Sequence, residues 1–334
     1  MKTLSKLAIW FLALFAIVLI YISGLPGLLS FIISLLFYGG IIYGAVFIYK
    51  KLRKQQVPKF KNVFTKFLVS AGTSLFLIIA IIWSFCYYQN EISPAEMPIY
   101  TLTNGEKILI FQWMSHIGTE RFYEEVRNNI REAKNNGYVL YFEWVQPGTE
   151  ENMEKFNKIL GVKFDAELYE NFSKLYWLVH QDNDSLLWLV NDEDYNVDLW
   201  IDAIIEIYRE KYPEDVIDED RELLAASTEI TKLLATLNPR QLSILIYVNQ
   251  AIINTIIKYD GLRQKILDIS GSSNIFDVIL NNRNIHLVNE ISESPHEKIF
   301  TTYGLMHYSW VLEELQKRDN NWKLIETQYL YPIQ

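Results

Sequence analysis

Acidic side chains are absent from residues 1–88 of this 334-residue chain, although that stretch holds nine Lys and Arg. The rest carries 22 basic and all 40 acidic residues, so a formal charge of −9 conceals an acidic body of net −18. That body has no basic stripe, which excludes nucleic acid as an expected partner. Cysteine is almost missing: Cys86 stands alone, so no intramolecular disulfide can staple the fold, and packing must hold it. Low-complexity tracts are absent and aromatic residues make up 14%, which argues against disorder. No CxxC, HExxH, P-loop or GxSxG pattern occurs.

Long uncharged runs are present. Leu7 to Tyr49 has no charged residue, about twice the roughly 20 residues of one membrane span. Gly24-Leu25-Pro26-Gly27 divides it, since Gly and Pro favour a turn. The reading is three transmembrane helices, at about 7–23, 28–49 and 67–88. No small-x-small cleavage site precedes a soluble segment, so the first run reads as a retained span rather than a signal peptide. Seven of the nine basic residues lie between Lys50 and Lys66, and Glu91 opens the segment after the third run. Basic loops stay cytoplasmic. The expected protein is therefore integral to the plasma (inner) membrane, with a cytoplasmic N-terminus and an extracellular or periplasmic C-terminal domain. The spans lack the buried polar groups of a transport path and read as an anchor.

The organisation expected is an anchor over 1–90, a linker over 91–106 marked by Pro94 and Pro98, and a domain over 107–334. Lys107–Gln112 and Tyr138–Val145 read as strands. Between them Thr119 caps a helix whose Phe122, Val126, Ile130 and Ala133 share one face, and Gly137 stops it. Helices are expected at Glu150–Leu160, Ala166–His180, Leu199–Tyr212, Arg221–Leu237 and Pro239–Tyr259, with a strand at Leu186–Val190. Asn249, Gln250 and Asn254 make Pro239–Tyr259 a core helix rather than a fourth span. Lys298–Tyr303, Tyr308–Lys317 and Trp322–Leu330 read as strand, helix and strand. The fold class is α/β, a central sheet covered by helices.

The two ends of this domain can be laid over one another. Lys107-Ile108 leads to Trp113-Met114-Ser115-His116, and Lys298-Ile299 leads to Gly304-Leu305-Met306-His307. Loops at the carboxyl ends of strands gather chemistry, so paired units would bring His116 and His307 to one cleft. A glycine after a strand permits close approach or positive φ; Gly304 supplies it and Trp113 occupies the matching place. Glu143, in the apolar YFEWV, must be paired, metal-bound or at a strand end facing a site. Arg283 in NNRN suits a carboxylate or an oxyanion. Asp198 in NVDLW reads either as the cap of the Leu199–Tyr212 helix or as a substrate-facing acid. His180, His286 and His296 lack a matching frame.

The runs FQWMSHIGTERFYEEV (111–126) and YVLYFEWV (138–145), Arg283 in NNRN, and YGLMH (303–307) resemble the TraB/PrgY/GumN family. Its relatives are the Tiki membrane metalloproteases and the erythromycin esterases. The second GxxH motif is intact at Gly304–His307, while the first has Trp113 for its glycine. The resemblance also covers Glu143 and Arg283, and Arg121 resembles an arginine of the esterases. It implies hydrolase chemistry: peptide cleavage with a divalent metal (Mn, Co or Zn) as in Tiki proteins, or ester cleavage without one as in the esterases. On that basis His116, Glu143, Arg283 and His307 are the expected catalytic residues. His116, Glu143 and His307 are the expected metal ligands, and Arg121 and Asp198 the expected substrate contacts. The expected substrate is a peptide or small molecule outside the cytoplasm. The competing expectation is a non-catalytic tethered module that sequesters an extracellular peptide or partner.

Overall fold

The structure, a computed structural model, describes residues 2–161, 163, 166–215, 226–259, 261–262, 265–266, 273–304 and 308–334. It divides into two units: Met1–Tyr88 with Thr236–Leu245, and Gln89–Ala235 with Ile246–Gln334.

In the first unit, two helices rather than the expected three are long and apolar enough to cross a membrane, Ser5–Leu52 and Phe60–Ile92. The GLPG segment breaks the first helix without opening a loop. Gly24 alone leaves the helical region, at φ 68° and ψ −168°, which suits a residue without a Cβ. Pro26 stands where a following helix begins, the one place its missing N–H costs nothing. The Phe15 and Phe31 ring centroids lie 5.3 Å apart, although a straight helix would separate these residues by about 24 Å. The chain therefore folds back on itself at Gly24. The second helix lies close against the first at Gly72, where a Cβ would collide with the Ala8 carbonyl oxygen. The carbonyls exposed at the break are satisfied by the Thr236–Leu245 segment. Asn238 Nδ2 donates to Ile22 O at 2.7 Å, and Gln241 Nε2 to Ser23 Oγ at 3.1 Å. Arg240 donates to Tyr21 O and lies 3.7 Å from the Tyr21 ring centroid.

The second unit is a mixed α/β structure around a six-stranded sheet of order β6-β4-β7-β2-β1-β8. Its strands are β1 (Met97–Thr103), β2 (Ile108–Met114), β4 (Val139–Phe142), β6 (Tyr195–Asn196), β7 (Lys298–Gly304) and β8 (Lys323–Leu330). A separate pair, β3 (Ile117–Gly118) and β5 (Val179–His180), is antiparallel. β2, β7, β4 and β6 run parallel, while β1 is antiparallel to both neighbours.

The parallel strands alternate between two cores, as a pleated strand must when both faces are covered. Leu140, Phe142 and Phe300 bury into one core with Phe122, Val126, Ile130 and Ala133 of the Glu120–Asn135 helix. Val139, Tyr141, Ile299 and Tyr303 bury into the other, with Leu287, Val288 and Ile291 of the Arg283–Glu293 helix and Val311 and Leu315. Each such side chain contributes about 1.5–3 kcal/mol on burial. Thr119 Oγ1 accepts from Phe122 N, and Gly137 takes φ 78° past the helix end, as expected.

Several expectations are corrected. The linker contains β1, an inner strand. Pro98 is tolerated there because the β1–β2 pairing begins only at Ile99, so no β2 bond needs its missing N–H. Leu186–Val190 is no strand: the Asn183–Leu186 helical turn covers its start, with Asp182 accepting from the Asp184 and Ser185 amides. The Leu199–Tyr212 helix runs over Ile201–Lys211, and Ala166–His180 ends as a helix at Tyr176. The Arg221 start of its helix lies outside the described residues, which show Ala226–Thr236. Pro239–Lys258 is one helix, and Asn254 within it is buried, joined to Ala95 N and Asn90 Oδ1.

Candidate functional site

Because β2, β7 and β4 are parallel neighbours, their carboxyl ends lie along one edge. Met114 pairs with Gly304 and Phe142 with Thr302 as these strands finish. Glu143 follows β4 immediately, and its N–H still reaches Thr302 O at 3.1 Å. It continues the parity of Val139 and Tyr141, which carries its side chain toward the Arg283–Glu293 helix. That helix starts directly after the π-turn Val278–Asn282, a local irregularity frequent at functional sites.

Arg283 joins three segments there. Its Nη2 lies 2.5 Å from Glu143 Oε1, and its Nε and Nη2 lie 2.5 and 2.8 Å from the two oxygens of Asp198. The other Glu143 oxygen accepts from the Gly304 backbone N–H. The guanidinium lies 5.5 Å from the ring centroid of Tyr303, which is fully buried. The Arg283 and Asp198 side chains are 7% and 0% exposed. Among the described residues two carboxylates thus share one cation. Burial, reinforced by the Glu143 carboxylate and opposed by Arg283, pushes Asp198 up to about 6. Burial alone would lower Arg283, but Glu143, Tyr303 and Asp198 hold it above its ordinary value.

Asp198 is therefore not the helix cap. The N-cap position of the Ile201–Lys211 helix is Trp200, and both Asp198 oxygens face Arg283. Gly304 acts as an N–H donor and is not a positive-φ residue. Trp113 is registered with Tyr303 across the β2–β7 ladder and stacks edge-on with Tyr100, 5.8 Å between centroids.

His116 is exposed, on a loop held at several points. Tyr123 Oη donates to Ser115 O at 2.8 Å, Ser115 Oγ to Ile117 O at 2.7 Å, and Gln181 N to His116 O at 2.8 Å. The His116 ring lies 5.5 Å from that of Tyr169. Burial and the Glu143 carboxylate push the Tyr169 phenol up to about 12, with Arg283 opposing. Tyr169 thus packs beside the His116 ring and feels the charges of Glu143 and Arg283. Arg121 stays apart: its side chain is 78% exposed and pairs with Glu125 one turn on. His307 lies outside the described residues.

Among the described residues, no three His, Cys, Asp or Glu come together as a metal site. Glu143 is engaged by a guanidinium and a backbone N–H. Tyr303, Tyr169 and Gln181 were not among the expected site residues. Tyr303 had a signal, since it shares the parity of Ile299 and Thr301 immediately before the Gly304 motif. Tyr169 and Gln181 had none.

The chain matches no protein-family model and no curated protein.

Proposed function

We propose that this protein is a membrane-anchored hydrolase of the TraB/PrgY/GumN kind, acting on peptides or small esters outside the cytoplasm. The observation that carries the reading is Glu143, gripped by Arg283 and the Gly304 N–H at the carboxyl edge of β4 and β7, with Tyr169 linking it to His116. A carboxylate fixed in this way has one orientation and little freedom to reorganise, as a general base requires. His116, exposed on the loop after β2, supplies an imidazole for proton transfer. Glu143 carries the chemistry and Arg283 orients it. No step is assigned to a metal.

The membrane part is read as three passes. The fold-back at Gly24 divides the first apolar helix into two arms, each long enough to cross. The basic residues from Lys50 to Lys66 then lie on the cytoplasmic side. In a Cys86→Ser background, an impermeant maleimide should label a cysteine at Leu25 but not at Val57 in intact cells. The reverse pattern would invert the topology.

The activity test uses the full chain in detergent with p-nitrophenyl esters and a peptide pool. Glu143→Gln should lower kcat by about 10²-fold or more. Wild type without turnover, or a fully active Glu143→Gln, would sink the hydrolase reading.

A further inference from the structure

The Pro239–Lys258 helix is inside out for a helix that meets water. No charged side chain occurs from Gln241 to Ile257. Its polar side chains turn toward the protein. Gln250 Nε2 donates to Tyr176 O at 3.0 Å, and the buried Asn254 Nδ2 to Asn90 Oδ1 at 3.1 Å. Lys258 Nζ donates to Gln89 Oε1 and Ser93 Oγ, both at 2.9 Å. These three positions recur every four residues and share one face. Ile244, Val248, Ile252 and Ile256 also recur every four residues, on another face, and Tyr259 follows three further on. Ile244, Ile252 and Tyr259 are exposed, and Val248 and Ile256 half-buried. Single exposed apolar side chains are ordinary, but a helix facing water turns its charges outward rather than a stripe of isoleucines. The helix is also held where apolar helices end, in each unit separately. In the first unit Asn238, Arg240 and Gln241 bond the Gly24 bend at Ile22, Tyr21 and Ser23. In the second, Asn90 belongs to the π-turn Tyr88–Ile92 that closes the apolar Phe60–Ile92 helix, and its Nδ2 donates to Tyr247 O at 2.8 Å.

We infer that the Ile244–Tyr259 face of this helix is an interfacial surface whose partner is the outer lipid leaflet. This rests on the three-pass reading above, under which the Gly24 bend and the Gln89–Ser93 segment both lie outside. Each tie then fixes part of the helix at the level where a span leaves the hydrocarbon. At that level an apolar face meets the boundary between headgroups and acyl chains, while the polar face keeps its protein partners. Arg240, exposed and 3.7 Å from the Tyr21 ring centroid, stands where Arg and Tyr are favoured, with apolar stem or ring inward and polar tip at the headgroups. The bilayer is the occupant because the helix is bonded to the very segments that leave it. An uncharged run that is not a fourth span thereby has a physical reason.

The test uses the full chain in a Cys86→Ser background, reconstituted in phosphatidylcholine vesicles. Single cysteines carry bimane, and spin-labelled phosphatidylcholine is the quencher. Labels at Ile252→Cys and Tyr259→Cys should lose fluorescence chiefly to a headgroup-linked spin label. Leu36→Cys, exposed on the second arm of the hairpin, should lose it chiefly to a spin label at the acyl-chain end, and Lys323→Cys, exposed on β8, to neither. Quenching at Leu36 with none at Ile252 and Tyr259 overturns this inference and leaves the membrane anchor standing. So does bimane emission at Ile252 that follows the protein-to-lipid ratio without quenching, which marks a second copy on this face. Equal quenching at Lys323 overturns it too, because lipid contact is then not confined to this helix. No quenching at Leu36 removes both the inference and the anchor.

Discussion

The Arg283–Glu293 helix meets a cation at each end, half-buried Lys107 at one and buried Arg283 at the other, and the two are held differently. At its carboxyl end Lys107 Nζ, from the amino edge of the sheet, donates to the carbonyls of Ile291, Ser292 and Ser294 at 3.0, 2.9 and 2.7 Å. A cation belongs there: it satisfies carbonyls the helix cannot and faces the negative end of the dipole. At the other end stands Arg283, where the helical run continues back through the π-turn to Ser273 and leaves no free terminus. Glu143 and Asp198 hold the guanidinium there. The Lys107 end is explained entirely by helix capping. The Arg283 end is explained by buried side-chain charge that distant segments supply.

The largest break of this comparison is Arg283→Met. It removes the guanidinium that two carboxylates share and should cost about 3–5 kcal/mol, read as a lower melting temperature by tryptophan fluorescence. Combining it with Glu143→Gln and Asp198→Asn should restore much of the loss, because no buried charge is then left unpaired. Failure of the triple variant to recover would mean that Arg283 stabilises by packing alone. Lys107→Met is the smaller counterpart. It leaves three carbonyls near the surface without their donor and should cost about 1–2 kcal/mol, with turnover of the proposed hydrolase unchanged. A kcat loss as large as that of Glu143→Gln would show that the two ends are not functionally distinct.

The finest distinction lies in pH. Asp198 titrates near 6 in the folded chain against an ordinary 3.8, so the folded state keeps its proton longer than the unfolded chain does. Its contribution to stability is complete below the ordinary value and is lost as pH rises through about 6. Among the described residues the Lys107 end has no buried carboxylate, only the exposed Glu106. Urea melts between pH 4 and 6 should therefore show wild type losing stability relative to Asp198→Asn as pH rises. Parallel curves would remove Asp198 from the shared-charge account.

Much of the site was legible one residue at a time. Glu143, Arg283 and Asp198 each stand out as charge in apolar surroundings, and burial demands partners for all three. Their pairing was not legible, because 140 and 85 positions separate Arg283 from Glu143 and Asp198. The capped Glu120–Asn135 helix and strands β2, β4, β7 and β8 follow from periodicity. β1 was hidden by Pro98, since a proline argues against an inner strand unless pairing on one side starts after it. Tyr169 and Gln181 carry no pattern of their own, and only the loops that bring them beside Glu143 make them visible.

Local chemistry, then, was decided within the chain. The uncharged runs, the charge asymmetry between residues 1–88 and the rest, the helix caps and the unease of each buried charge all depend on neighbours a few positions away. The tertiary structure decided what depends on distant residues: that Gly24 folds one apolar helix back on itself, that β2, β7 and β4 end side by side, and that one guanidinium serves two carboxylates. Register and parity across parallel strands set those distances, and neither is written in any single segment.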